Sequence, residues 1–319
     1  MSRLIGSHEE RWSLTRAIDA LAESAKRAGH PGWIWIAGIV YPSLGIGLEL
    51  GSWFGFATSP VGAFLDSAWN SLYGTERGGG DVLPIAVLKT ALMLPFLGLC
   101  FWPLYRLVAG LARIAHPPAW ESVCEGRATP RLRAAWRAGE GLTRAALGLW
   151  IQLSLLFGVA LFAFSFPVMV LDRALDLSPG RVGHAFVMGI VLGPLIVALA
   201  LYIMALMVLL QLALHSLAHN RRGVASALIH AWRIARHDVW ATLRTILVDV
   251  VLTLSVLLVW KVLEGPIAGT FGSGGFATFV SVLVQLPLVG FAGVARAGYW
   301  ARAYRALGGL SPDDGVPGL

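Results

Sequence analysis

Residues 183–215 read GHAFVMGIVLGPLIVALALYIMALMVLLQLALH, without a single Asp, Glu, Lys or Arg. A helix crosses a hydrocarbon core of about 30 Å with roughly 20 apolar residues. At 1.5 Å per residue this run reaches about 50 Å, so it must tilt, bend at Pro194 or project into the cytoplasm. Five similar runs accompany it: Trp33–Phe56, Leu83–Tyr105, Ala146–Val170, Leu243–Leu263 and Phe276–Tyr299. All are continuous, without the period-2 alternation of barrel strands, so helices are implied.

The whole chain has the same character. Its 319 residues are 56% hydrophobic and 13% charged, against about 25% charged in an ordinary soluble domain. The formal charge of +7 is unevenly spread. Of 25 Lys and Arg, 20 fall in residues 1–32, 106–144, 216–244 and 296–319, which are every second gap between the runs. That bias places both termini in the cytoplasm. The basic gaps would face anionic inner-leaflet headgroups, and the charge calls for no nucleic acid. Residues 1–32 form an amphipathic cytoplasmic segment without a cleavable signal pattern. The membrane domain is 33–305, and 306–319 reads as a disordered cytoplasmic tail. Cys100 and Cys124 make neither a disulfide framework nor a zinc spacing.

A threefold order is visible. Ala135-Trp136-Arg137 precedes run three, and Ala231-Trp232-Arg233 precedes run five, 96 residues later. Pro95, Pro194 and Pro287 sit mid-run in the even-numbered spans, at spacings of 99 and 93. The unit is a cytoplasmic amphipathic helix, an outgoing span and a returning span that carries a proline. Three units entering from one side make parallel hairpin repeats. The linking helices are expected at Arg11–Ala28, Pro130–Arg144 and Val224–Asp238, either lying in the headgroup plane or packed beneath the bundle as cytoplasmic extensions. Their candidate contact residues are Arg133, Trp136, Arg137, Trp232, Arg233 and Arg236. Trp33, Trp35, Trp102, Trp240 and Trp300 are expected near the inner interface, with Trp53 and Trp260 near the outer one.

Polar groups inside the spans are few. Glu49 and Lys89 lie at similar depth in consecutive spans and are expected to pair. Asp249 sits near the inner end of span five, where Arg106 or Arg296 can meet it. Gln152, Gln211 and Gln285 can bridge helices by hydrogen bonds. Small residues at Gly45, Gly47 and Gly51, and at Gly290, Gly293 and Ala297, should let spans one and six approach closely.

The chain resembles the six-span bacterial membrane families of the glycerophosphodiester-phosphodiesterase membrane-domain type. Arg222-Gly223-Val224-Ala225-Ser226-Ala227-Leu228, Ala231-Trp232-Arg233 and Tyr299-Trp300-Ala301-Arg302-Ala303-Tyr304-Arg305 carry the resemblance. It implies a multi-pass protein of the bacterial inner membrane. No phosphodiesterase domain fits between the spans.

Catalytic signals are absent from the sequence: no nucleophile elbow, no phosphate-binding loop, no paired acids in a cytoplasmic segment. His215 and His219 are four apart, but no HExxH motif or third ligand accompanies them, so no metal site is expected. His215, His219, His237 and Asp238 are the only residues a lipid-modifying enzyme would have to use. No motif calls for a cofactor. The expected architecture is an all-α, six-span helical bundle. The expected function is a non-enzymatic scaffold or accessory subunit with a membrane-protein partner or a second copy of itself. The alternative is a permease for a small or lipidic solute.

Overall fold

The structure, a computed structural model, describes residues 12–29, 33–41, 102–116, 119–120, 132–175, 182–271 and 275–308. Every regular element among them is a helix. In chain order these are α1 (Leu14–Ala28), α2 (Ile34–Ile39), α3 (Trp102–Ile114), α4 (Leu132–Ala138), α5 (Thr143–Leu175), α6 (Val182–Asn220), α7 (Val224–His237), α8 (Val239–Phe271) and α9 (Gly275–Ala306). The last four apolar runs became α5, α6, α8 and α9. Each contains a stretch long and apolar enough to cross a membrane: Thr143–Ala160, Gly193–Asn220, Val239–Ile267 and Phe279–Ala306. By helix length and hydropathy this is a multi-pass membrane protein. Most of runs one and two lies outside the described residues.

The bundle is organised around the C-terminal half of α9. Its sequence from Gly290 to Tyr304 is GFAGVARAGYWARAY, in which small residues alternate with large ones. Residues 292–297 and 299–301 are all buried. A helix that is hidden all round needs neighbours on every side, and α1, α2, α3, α6 and α8 supply them. Small residues bring α2 against α9. A Cβ on Gly38 would stand 2.0 Å from the Gly290 carbonyl oxygen, and one on Gly293 would stand 1.8 Å from that of Gly38. Gly290 and Gly293 thus do mediate close packing. Their partners on this side are Trp35 and Gly38, while Gly45, Gly47 and Gly51 lie outside the described residues.

The linking helices form, with one correction. The first starts at Leu14, where the Ser13 hydroxyl accepts from the Arg16 amide at 3.2 Å. Lys26 and Arg27 end it, complementing the helix dipole. The third spans Val224–His237, close to expectation. The second ends at Ala138 rather than running to Arg144. A turn over residues 139–142 interrupts it, with Gly141 at φ 78. Two backbone approaches hold this short helix. A Cβ on Gly110 would lie 1.7 Å from the Ala135 oxygen, and one on Gly139 would lie 2.0 Å from the Arg106 oxygen.

The long run quoted first lies in a single helix of 39 residues that continues through Pro194. Its C-terminal end packs into the layer of short helices, where residues 210–218 are all buried.

Candidate functional site: a buried ion pair and a basic end

The polar chemistry concentrates where α8 and α9 meet. Asp249 and Thr253 are one turn apart on α8, and Arg296 and Trp300 are one turn apart on α9. The two i,i+4 pairs face each other. Arg296 Nε donates to Asp249 Oδ1 at 2.7 Å, and Trp300 Nε1 donates to Oδ2 at 2.8 Å. Arg296 Nη2 donates to Thr253 Oγ1 at 2.8 Å, and that hydroxyl donates to the Asp249 carbonyl at 3.0 Å. The carboxylate and guanidinium side chains are 0% and 1% exposed. Below them Tyr299 donates to the Thr245 carbonyl at 3.0 Å, and Trp12 Nε1 to the Thr245 hydroxyl at 2.9 Å. The network ties the segment before α1 to both long helices.

Of the two arginines placed at the depth of Asp249, Arg296 takes the role. Arg106 turns away: its Nε donates to the Trp136 carbonyl at 2.8 Å, its guanidinium sits 4.4 Å from the Trp136 ring centroid, and Glu140 pairs with it at 3.5 Å. Trp300 was expected at an interface and is instead completely buried as a donor to Asp249, because an indole N–H far from water needs an acceptor. Trp260 is likewise buried. Trp33, Trp232 and Trp240 are exposed, at 74%, 53% and 72%.

The other sequence candidates divide. Gln211 and Gln285 are buried, whereas Gln152 is exposed on α5. Arg133, Arg137, Arg233 and Arg236 are exposed, and Trp136 is half-buried beneath Arg106. The Glu49–Lys89 pair lies outside the described residues. Asp238 serves as a helix cap, accepting from the Ala241 amide at 2.9 Å, and His237 is exposed.

One grouping had no signal in the sequence beyond the His215/His219 spacing. His116, from the end of α3, stands 5.1 Å from His219 between ring centroids, and His215 stands 5.9 Å from His219. Tyr304 of α9 stacks on both α6 rings, at 6.0 and 6.5 Å. Tyr41 closes the group, its hydroxyl 3.1 Å from His215 Nε2. Burial and the charge of Arg305 push the His116 imidazole down to about 4. Among the described residues, no three His, Cys, Asp or Glu side chains are arranged to hold a metal ion. Compared with family models, curated proteins and solved structures, the chain matches none.

Proposed function

We propose that this protein is a non-enzymatic membrane scaffold or accessory subunit whose cytoplasmic face rests on anionic lipid headgroups. In this reading six spans form three parallel hairpin repeats, and both termini are cytoplasmic in a bacterial inner membrane. Kinship with the glycerophosphodiester-phosphodiesterase membrane-domain type belongs to the same proposal, resting on the residues quoted for it.

The observation that carries the reading is the outer face of α7. Ala227, Ala231 and Ile234 are buried against the bundle. On the opposite side Ile229, Trp232, Arg233 and Arg236 are exposed, and Trp240 continues this surface at the start of α8. Apolar and aromatic rings beside guanidinium groups match the boundary between acyl chains and headgroups. Each cation near an anionic surface contributes about 1 kcal/mol. The ion-paired interior between α8 and α9 supports a fixed frame.

The test is depth-dependent quenching of Trp fluorescence by brominated lipid, with the full chain in nanodiscs. Quenching that falls when Trp232 is replaced by Phe in a disc containing phosphatidylglycerol, and is weak in pure phosphatidylcholine, is the expected result. No change with either lipid would remove the interfacial placement. Saturable solute flux in proteoliposomes would replace the scaffold with a permease.

A further inference from the structure

Three arginines lie near the histidine group, Arg113 beside His219, Arg305 beside His116 and Arg221 beside Arg113, and all three lack acidic partners among the described residues. Arg113 lies on α3, Arg221 follows α6, and Arg305 is in the last turn of α9. Arg113 makes one weak contact, Nη1 to the Ala138 carbonyl at 3.3 Å. Burial together with the like charge of Arg221 lowers the Arg113 guanidinium from its usual value, and Arg305 acts on His116 in the same sense. Arg113 also lies within electrostatic reach of His219. Arg221 holds φ at 49, a region uncommon for any residue but glycine.

Inside this cationic rim lie polar atoms with nothing to bind. His116 Nε2, His215 Nδ1 and His219 Nε2 are buried and have no hydrogen-bond partner among the described residues. Buried polar atoms are nearly always satisfied, so an unpaired group demands an explanation. His219 is informative because the Ala112 backbone lies beside its ring. A carbonyl there holds the proton on Nδ1 and leaves Nε2 with a lone pair. Like charges beside unpaired imidazoles create a local positive potential that favours an anion.

We propose that the imidazoles of His116, His215 and His219, rimmed by Arg113, Arg221 and Arg305, form a binding site for a phosphate monoester group. Guanidinium forks suit the anionic oxygens, two at a time. In its monoanionic form a monoester keeps one P–OH, from which the neutral His219 Nε2 accepts, and His116 donates or accepts according to its tautomer. A diester has no such hydroxyl to donate. The ligand is either the headgroup of phosphatidic acid or a soluble phosphate. This site is separate from the α7 surface and does not depend on the scaffold reading.

The experiment uses the full chain in phosphatidylcholine nanodiscs. Inorganic phosphate is titrated by calorimetry, and discs doped with phosphatidic acid are examined for retained lipid by native mass spectrometry. Saturable binding in either arm is expected. Retention of phosphatidic acid alone identifies the lipid headgroup, whereas binding of inorganic phosphate shows that the group suffices without acyl chains. R221Q and R305Q, whose side chains are exposed, should each weaken binding about tenfold. R305K should keep most of it, and ligand-free melting should be unchanged. R113Q should act likewise where it folds. Absence of saturable binding in both arms, or unchanged binding in the R221Q/R305Q double variant, overturns the proposal. Loss of Trp232 quenching would leave it standing.

Discussion

Asp249 on α8 and Arg296 on α9 form an ion pair at 2.7 Å with almost no exposed surface on either side chain. Trp300 and Thr253 satisfy further lone pairs and protons of the pair. A pair held in this way is hard to lose from one side, because the surviving charge stays buried without a partner. Asp249→Asn or Arg296→Met should therefore destabilise the protein by about 3–5 kcal/mol. The double replacement Asp249→Leu with Arg296→Met should recover much of that loss, since two well-packed apolar groups leave no orphan charge. Equilibrium unfolding in mixed micelles reads both.

The glycines offer a contrast inside one protein. Gly38→Ala and Gly110→Ala put a methyl group within 2.0 Å of a backbone oxygen on a neighbouring helix. Neither backbone can yield cheaply, and overpacking of this kind costs about 1–3 kcal/mol. Gly193→Ala and Gly265→Ala meet nothing within 4 Å, lie inside helices, and should be neutral or stabilising by up to about 1 kcal/mol. Melting temperatures of the four variants in one detergent decide the matter.

Stability should fall on mild acidification. The His116 imidazole sits at about 4 in the folded protein, below its ordinary 6.5. Between those values the unfolded chain binds a proton that the folded one does not. Stability therefore rises with pH across this window and is lost as pH falls from about 6.5 toward 4. His116→Gln should reduce the slope of that part of the unfolding profile by the share of one proton and leave the slope above pH 7 unchanged.

The outer face of α7 is expected to act in binding and not in folding. Replacing Trp232, Arg233 and Arg236 together by Ala, Gln and Gln removes side chains that are exposed. Such surface changes usually stay within about 0.5 kcal/mol each. Melting should barely move, while co-purified anionic lipid drops several-fold in quantitative lipid analysis. A large fall in stability would show that these side chains support the bundle instead.

Much of the architecture was legible because its causes are local. Runs of twenty or more apolar residues cannot fold otherwise in lipid, where the backbone must satisfy itself, and α5, α6, α8 and α9 appeared where those runs lie. The short helices were visible in their alternating apolar and basic residues, and only the break after Ala138 escaped. That break depends on Gly141, whose positive φ turns the chain, and on Gly139 at a crossing with α3, a contact some thirty residues away in sequence. Asp249 stood out as a rare intramembrane carboxylate. Its partner did not, because Arg106 and Arg296 have the same residue type at similar depth. The choice between them is made by which helix lies beside α8.

The sequence by itself determined the helical class, the long apolar helices and the basic character of one set of connections, since hydropathy and periodicity act within a single segment. The tertiary structure decided the rest. It chose Arg296 over Arg106, drew Trp300 from an interface into the core, and brought His116 to His215 and His219 across about a hundred residues of chain. It also set α9 at the centre of the bundle. These outcomes follow from close packing of glycine and alanine faces, whose depth of approach depends on both helices at once and on neither sequence alone.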